Sequence, residues 1–268
     1  MTQEERRVFL LDYLIHESVQ YKNLSIPQKE QEQKQLLRAL LNVRPAGAAS
    51  GQFLKIQDEY LQYEMQKKGI TDCMRLPLAR EKISLWQGDI TTLRCGAIVN
   101  AANSAMLGCF IPGHSCIDNA IHTYAGVQLR MECGAIMQRQ GYAEPTAQAK
   151  ITGAYNLPCH YILHTVGPII TGSPTAKDCQ LLASCYRACL QLAEEYHLTS
   201  VAFCCIATGE FRFPNEKAAE IAVKTVSDYL QNSRIERVIF NVFKDADKRI
   251  YQRVLGQMQP AANCAAGS

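Results

Sequence analysis

Hydrophobic residues in the first 80 positions recur at helical spacing. The clearest run has apolar residues three or four positions apart, as on one face of an amphipathic helix: Val8, Leu11, Ile15 and Val19. A second helix is predicted to start at Ser25 and Pro27, and a third to close at Gly69. We therefore predict a helical extension, residues 1–80, packed on the rest of the chain.

From about residue 82 short apolar runs alternate with longer amphipathic segments. The short runs predict six strands: 83–86, 97–100, 149–154, 161–165, 201–206 and 237–242. The longer segments predict four helices: 117–139, 176–197, 215–232 and 245–255. This alternation is typical of an α/β domain with a mostly parallel sheet and helices on both faces. We predict that this domain spans residues 81–260 and that a disordered tail follows at 261–268.

Composition and charge narrow the function classes. The 268 residues are 47% hydrophobic and 20% charged, and the formal net charge is +3. This balance indicates a globular protein without the basic surface that nucleic acid or an anionic membrane requires. No apolar run approaches the roughly 18–20 residues that span a bilayer, and the N-terminus lacks the pattern of a signal peptide. We expect no nucleic-acid partner, no membrane partner and a cytoplasmic location.

The 12 cysteines are many for this chain, and three candidate metal ligands stand apart. Disulfide frameworks belong mainly to short secreted chains, so most of these cysteines are interpreted as small buried hydrophobic residues in a reducing compartment. Cys109, His114 and Cys116 instead lie together between a strand end and a helix start. Thiolate and imidazole suit Zn²⁺, and three such ligands leave one position open. From spacing alone, a coincidental placement of two cysteines in this loop explains the pattern equally well. The residue types also do not exclude another divalent metal ion.

Polar residues at predicted strand ends are candidate site residues, because ligands bind at the carboxyl ends of strands in such sheets. Asn100 and Asn103 follow one strand and Asp89 follows another, although each also suits a plain turn. Asp118 lies in the first turn of a predicted helix, where the helix dipole favours a carboxylate. His122 lies four residues further on, and we expect it to orient Asp118 by a hydrogen bond. Asn100 is expected to be structural.

Five short sequence motifs occur in a characteristic order along the chain. They are GDIT at 88–91, VNAAN at 99–103, IDNAIH at 117–122, HTVGP at 164–168 and ATGEFRFP at 207–214. The set resembles the macrodomain family over residues 82–257. The resemblance implies a three-layer α/β/α fold with a mixed, mostly parallel sheet that binds ADP-ribose. The loop MLGCFIPGHSCIDNAIH and the helical N-terminal extension are similar to those of zinc-dependent macrodomains of bacteria and fungi.

For the metal end of the site, the resemblance implies specific roles. Cys109, His114 and Cys116 would hold one Zn²⁺ per chain beside the distal ribose of ADP-ribose. Asn103 would hydrogen-bond the hydroxyls of that ribose, since an amide offers both a donor and an acceptor. Asp118 would orient or deprotonate water. Whether Asp118 or the metal activates the water stays open.

For the adenine end, the resemblance implies three contacts. Asp89 would accept a hydrogen bond from the adenine amine, because a carboxylate matches a donor. Ile90 would lie against the adenine, and Phe243 would stack on it. Phe243 as an ordinary core residue is the competing interpretation.

The resemblance also implies a second phosphate loop, whose backbone N–H groups would form a concavity for the diphosphate. Its residues are Thr208, Gly209, Glu210 and Phe211. This chain departs from the family pattern twice here, with Ala207 where Ser is usual and Arg212 where Gly is frequent. We expect Glu210 to face solvent, since an inward carboxylate would repel a diphosphate.

Taken together, the resemblance implies a zinc-dependent protein mono-ADP-ribosylhydrolase. Such an enzyme cleaves a glycosidic or ester bond between ADP-ribose and a protein side chain, and the linkage that the resemblance implies is an ester to Asp or Glu. A non-catalytic ADP-ribose reader and an O-acyl-ADP-ribose esterase are the alternatives. The open metal set and Asp118 argue against the reader. In bacteria this subclass occurs with a sirtuin-type ADP-ribosyltransferase and a glycine-cleavage-type lipoyl-carrier protein, which makes that carrier a candidate substrate.

Overall fold

A computed structural model describes residues 1–257. Eight α-helices lie in this part of the chain: α1 Gln3–Glu17, α2 Glu30–Val43, α3 Gly51–Lys68, α4 Ile117–Ala125, α5 Val127–Gln140, α6 Ala176–Glu195, α7 Asn215–Leu230 and α8 Asp245–Gln257. Eight strands accompany them: β1 Thr71–Asp72, β2 Ile83–Gln87, β3 Leu93–Arg94, β4 Ala97–Ala102, β5 Ala149–Gly153, β6 Tyr161–Val166, β7 Ser200–Phe203 and β8 Arg237–Val242. The predicted tail at 261–268 and the end of the predicted 81–260 domain lie outside the described residues.

Six strands form the main sheet in the order β2-β8-β7-β4-β6-β5. All neighbours pair parallel except β5, which pairs antiparallel with β6. The central strand β4 is apolar and buried from Ala97 to Val99, as expected for a strand covered on both faces. The prediction of a mixed, mostly parallel sheet is confirmed.

Helices cover both faces of this sheet. The chain moves along the sheet in one direction from β6 to β7 to β8, and in the opposite direction from β4 to its parallel neighbour β6. Because crossover connections are right-handed, α6 and α7 lie on one face, and α4 and α5 lie on the other. Helix α8 packs on α7 and on the edge strand β2. This is the predicted three-layer α/β/α arrangement.

The three N-terminal helices build a second apolar core. Its fully buried members include Leu10, Leu11 and Phe53, and Val127 of α5 joins it from the main body. Helix α1 begins with a capping box, in which the Thr2 hydroxyl accepts from the Glu5 N–H and the Glu5 carboxylate accepts from the Thr2 N–H. Both α2 and α3 also pack on α4, the helix that follows the candidate metal loop. The predicted helical extension therefore packs against the helix that follows the candidate metal ligands.

The ends of α6, α7 and α8 differ from the prediction by two residues each, and three larger differences lie earlier in the chain. Helix α1 ends at Glu17, so Val19 leaves the predicted apolar face and is 82% exposed. Helix α2 begins at Glu30 and not near Pro27. The helix predicted over 117–139 is two helices, because Gly126 adopts φ +98° between them and interrupts the helical backbone.

Strand boundaries differ less. The strand predicted over 201–206 ends at Phe203, where the chain turns into the second loop of the site. Strands β1 and β3 are not predicted, since each has two residues and pairs only with the other. No helix within residues 1–257 is long and apolar enough to cross a membrane.

Candidate active site

The structure brings the three candidate metal ligands together above the end of β4. One ligand atom from each of Cys109, His114 and Cys116 lies within 4.8 Å of the other two. The Cys109 Sγ and His114 Nδ1 atoms are 3.5 Å apart. All three residues are partly buried. Two sulphurs and one imidazole at these separations fit a soft divalent metal ion, so this group could hold a metal.

Asn119, in the first turn of α4, closes the loop that carries these ligands. Its buried side-chain Nδ2 donates to the carbonyl oxygens of Ile111, at 3.0 Å, and Cys109, at 3.4 Å. Its backbone N–H donates to the Sγ of Cys116, which serves as the N-cap of α4. One residue therefore contacts the beginning, middle and end of the loop.

The Cys116 thiol lies where an uncompensated negative charge is unfavourable. Burial raises its pKa to about 12, the Asn119 N–H opposes the rise, and the neighbouring Cys109 adds to it. A nearby cation removes this penalty, because metal ligation and thiol deprotonation occur together. The chemistry of the donor set therefore favours a bound cation over two free thiolates.

Asp118 lies beside this group and is 5% exposed. Its Oδ1 accepts a 2.8 Å hydrogen bond from Asn100 Nδ2, and its Oδ2 accepts a 3.4 Å hydrogen bond from Asn103 Nδ2. Burial raises the pKa of Asp118 to about 6, whereas the Asn100 amide and the Arg130 guanidinium lower it. A buried carboxylate with a raised pKa beside a metal-binding group is suited to proton transfer.

A chain of buried polar side chains, formed by Asn100, His164 and Thr152, supports Asp118. Asn100 Nδ2 also lies 3.2 Å from His164 Nδ1, and His164 Nε2 lies 2.8 Å from the Thr152 hydroxyl. Burial lowers the pKa of His164 to about 3, so its ring is neutral. Because Nδ1 accepts from Asn100, the ring proton lies on Nε2 and points to Thr152. The expected structural role of Asn100 therefore includes direct support of Asp118.

His122 does not make the predicted hydrogen bond. Its Nε2 lies 3.6 Å from Asp118 Oδ1, and neither ring nitrogen has a hydrogen-bond partner among the described residues. Burial lowers its pKa, and the nearby His164 and Arg130 lower it further. The prediction of a hydrogen-bonded orienting role for His122 is wrong, because the ring nitrogen lies beyond hydrogen-bond distance from the carboxylate.

Asp89, which is predicted to bind the adenine, directly follows Gly88, the first residue after β2. Its Oδ1 accepts from the backbone N–H and the hydroxyl of Thr91, at 3.0 and 2.6 Å. Its Oδ2 lies 3.1 Å from the Lys68 Nζ of α3, which also sits 3.3 Å from the centre of the Tyr124 ring. Burial raises the pKa of Asp89, but Thr91 and Lys68 outweigh it and the net pKa is lowered. The carboxylate is therefore ionised and keeps acceptor capacity on Oδ2.

The two apolar residues predicted beside Asp89 differ in exposure. Ile90 is 2% exposed and belongs to the main core. Phe243, directly after β8, is 76% exposed. The competing interpretation of Phe243 as a core residue is therefore wrong, and its ring is free to contact a ligand.

The second loop, residues 204–214, follows β7 and is held by its own backbone. The Phe213 N–H donates to the Ala207 carbonyl at 2.9 Å, and the Arg212 N–H donates to the Gly209 carbonyl at 3.0 Å. Ala207 and Arg212, the two departures from the family pattern, both adopt left-handed φ values, +64° and +59°. The Glu210 side chain is 74% exposed, as predicted, and its Oε1 approaches His114 Nε2 to 3.5 Å. The two loops are therefore adjacent.

Sequence reasoning missed three residues that α2 and α3 contribute. Arg38 and Asn42 form hydrogen bonds with the loop that carries the candidate metal ligands (the metal loop, residues 103–116), and Lys68 contacts Asp89. All three lie at least 21 positions before their partners. No local pattern links them to the motifs, so the pattern of apolar residues identified only the helices that carry them.

Comparisons with known proteins agree with the geometry. A sequence model described as Macro domain matches residues 99–222. A protein-ADP-ribose hydrolase of Treponema medium is 54% identical over 260 residues, which cover 95% of this chain and 100% of that protein. One from Staphylococcus aureus (strain MSSA476) is 48% identical over 255 residues, with 92% and 95% covered. The structure of a Trypanosoma brucei macrodomain in complex with ADP-ribose has a TM-score of 0.64 and 27% identity, covering 82% of this chain and 95% of that one.

Proposed function

This chain belongs to the macrodomain family, and we propose that it is a zinc-dependent protein mono-ADP-ribosylhydrolase. Two relatives named protein-ADP-ribose hydrolases, at 54% and 48% identity over most of the chain, support the hydrolase class. One observation carries the zinc-dependent form of the proposal. The Cys109, His114 and Cys116 ligand atoms cluster within 4.8 Å, immediately before the buried Asp118.

The adenosine end of the substrate is proposed to bind between Asp89 and Phe243. The remaining acceptor capacity of Asp89 Oδ2 suits the exocyclic amine of adenine, and Thr91 and Lys68 together keep that carboxylate ionised. The exposed ring of Phe243 offers a face for stacking. Ile90 contributes to the buried wall beneath. Binding energy from this remote end would position the reacting ribose.

The diphosphate is proposed to lie on the second loop, along the backbone of four residues: Thr208, Gly209, Glu210 and Phe211. A Cβ added to Gly209 would meet no protein atom within 4 Å, so the space above it is open to a phosphate. The backbone N–H groups of such a loop suit an anion without a requirement for particular side chains.

The distal ribose is proposed to lie between Asn103 and the metal. Asn103 Oδ1 accepts one hydrogen bond from the Ala105 N–H and retains a second lone pair for a ribose hydroxyl. A Zn²⁺ held by the Cys109, His114 and Cys116 set would act as a Lewis acid towards ribose or water oxygen. Asp118 would accept the proton of the attacking water, and Asn100 and Asn103 would hold its carboxylate in place.

The overall reaction adds one water across the bond between ADP-ribose and the protein side chain. For an ester to Asp or Glu, attack at the ribose C1″ or at the acyl carbon gives the same products, free ADP-ribose and the free carboxylic acid. Both thiols must be reduced to bind the metal, which fits the proposed cytoplasmic location.

Mass spectrometry of mono-ADP-ribosylated proteins tests the proposal, with a lipoyl-carrier protein among the substrates and O-acyl-ADP-ribose in parallel. The expected result is loss of ADP-ribose from protein, inhibition by a chelator and recovery on addition of Zn²⁺. Cleavage of O-acyl-ADP-ribose alone would identify an esterase. Binding of ADP-ribose without release from any substrate would identify a reader and exclude the hydrolase.

A further inference from the structure

Two polar side chains of α2 leave the N-terminal core and contact the loop that carries the candidate metal ligands. Arg38 Nη2 donates to the backbone carbonyl of His114 at 2.8 Å and to the Oδ1 of Asn119 at 3.0 Å. Asn42 is 1% exposed and accepts the N–H of Gly113 on its Oδ1 at 2.9 Å. The N-terminal helices therefore contact the middle of the loop and not only its rim.

The same two side chains also act on the residues that close the loop. Asn42 Nδ2 donates to the Thr123 hydroxyl at 2.8 Å, and that hydroxyl donates to the Asn119 carbonyl at 2.7 Å. Asn119 in turn donates to the carbonyl of Cys109 and to the Sγ of Cys116. Arg38 thus reaches the Cys116 Sγ through Asn119, and Asn42 reaches it through Thr123 and Asn119.

We propose that Arg38 and Asn42 are positioning residues of the metal centre, so that α2 sets the affinity of the site for its metal. This inference rests on the proposed function, since it assigns residues that support the same Cys–His–Cys group. The Cys109–Cys116 loop has no helix or strand of its own. Without outside support, ordering its backbone in ligand geometry would cost conformational entropy whenever a metal binds. Hydrogen bonds from α2 fix the loop in advance.

Arg38→Met and Asn42→Leu test the proposal, because each removes the polar contacts and keeps much of the side-chain volume. Zn²⁺ affinity would be measured by competition with a chromophoric chelator, and ligand geometry by the absorption spectrum of the Co²⁺-loaded protein. Support of metal ligands by outer residues is typically worth about 10–100-fold in metal affinity, so each variant is expected to bind Zn²⁺ at least ~10-fold more weakly. Arg38→Lys, which can donate to one of the two acceptors, is expected to recover part of the loss.

Gln33→Met is the matched control. Gln33 is a second buried amide on α2; its Oε1 accepts from Arg7 Nε and its Nε2 donates to the Pro27 carbonyl, both at 2.8 Å. Both partners lie within the N-terminal helical segment. Gln33→Met is expected to lower the melting temperature, as Asn42→Leu does, and to leave Zn²⁺ affinity unchanged.

Hydrogen exchange at the Gly113 amide provides a readout that does not depend on metal or activity. Asn42→Leu is expected to accelerate this exchange, whereas Gln33→Met is not. If Asn42→Leu does not fold, the partly exposed Arg38 carries the test alone. Equal Zn²⁺ affinity in Arg38→Met, Asn42→Leu and Gln33→Met would overturn the inference and leave the metal centre intact. Absence of Zn²⁺ binding by the unmodified protein would overturn both proposals.

Discussion

The two loops that meet at the carboxyl end of the sheet are held in different ways. The metal loop, residues 103–116, is held by side chains from other elements, chiefly Asn119, Arg38 and Asn42. The second loop, 204–214, is held mainly by hydrogen bonds between its own backbone groups. They nevertheless touch, since His114 Nε2 and Glu210 Oε1 lie 3.5 Å apart.

The difference shows how each loop can work. A loop fixed by side chains can hold particular atoms in a particular geometry, which ligands to a metal require. A loop fixed by its backbone presents N–H groups and tolerates different side chains, which suits a diphosphate. This also explains how the second loop accepts Ala207 and Arg212 in place of the residues usual in the family, provided that the left-handed backbone is kept. Substitutions should therefore have large and chemically specific effects in the metal loop, and small effects in the second loop.

The largest effect is expected from removal of a metal ligand. Cys116→Ala and His114→Ala should each reduce turnover by more than about 10³-fold, because the proposed metal would supply several kcal/mol of transition-state stabilisation. ADP-ribose affinity should largely survive, since Asp89, Phe243 and the second loop remain. Steady-state kinetics, metal analysis and calorimetric ADP-ribose binding would be measured on the same preparations.

Cys179→Ala is the control for this prediction. Cys179 is another partly buried cysteine, on α6 and outside the candidate metal group. Its removal should leave about one zinc per chain and normal turnover. Equal loss of turnover and ADP-ribose affinity in the ligand variants would show that the metal is structural and would weaken the contrast between the loops.

Asp118→Asn should produce the second-largest effect. The amide keeps the shape of the carboxylate and cannot accept the proton of water, so kcat should fall by about 10²–10⁴-fold if Asp118 is the base. Zinc content should be unchanged. Metal analysis combined with single-turnover kinetics separates the two quantities, and a near-normal rate with full zinc occupancy would transfer the role of base to the metal.

Local sequence patterns predict the sheet better than they predict the support of the site. All six strands of the main sheet are predicted. The parallel strands are mainly short apolar or β-branched runs, whereas the antiparallel edge strand β5 is only partly buried. The candidate ligands Cys109, His114 and Cys116 are also visible in the sequence, since they lie close together along the chain. Arg38 lies 76 positions from His114, and Asn42 lies 71 positions from Gly113. A polar residue on an amphipathic helix carries no signal of its distant partner, so these contacts follow only from the packing of α2 on α4.

The buried His164, which contacts Asn100 next to Asp118, should make the free energy of unfolding depend on pH. Burial lowers the pKa of His164 to about 3, whereas an unfolded histidine titrates near ~6.5. Between these values the unfolded chain binds more protons than the folded one. The contribution of neutral His164 is therefore complete above pH ~6.5 and is lost as the pH falls, by up to about 1.4 kcal/mol per pH unit.

Urea unfolding between pH 7.5 and 5 would measure this slope in the unmodified protein and in His164→Asn. The variant should be less stable at pH 7.5 and should depend less on pH. Some dependence should remain, because His122 is also buried with a lowered pKa. An unchanged slope would show that His164 does not titrate differently on unfolding.

The smallest effect is expected from Glu210→Gln in the second loop. Its side chain is 74% exposed, and exposed ion pairs contribute only about 0–1 kcal/mol, so its approach to His114 should add little to metal binding. Loss of a negative charge near the proposed diphosphate site should raise ADP-ribose affinity by a few-fold at most at low ionic strength, and the gain should shrink with added salt. Chelator competition and ADP-ribose titrations at two salt concentrations would measure both. A tenfold loss of Zn²⁺ affinity would instead make Glu210 part of the metal centre, and the two loops would then form one site held together across its middle.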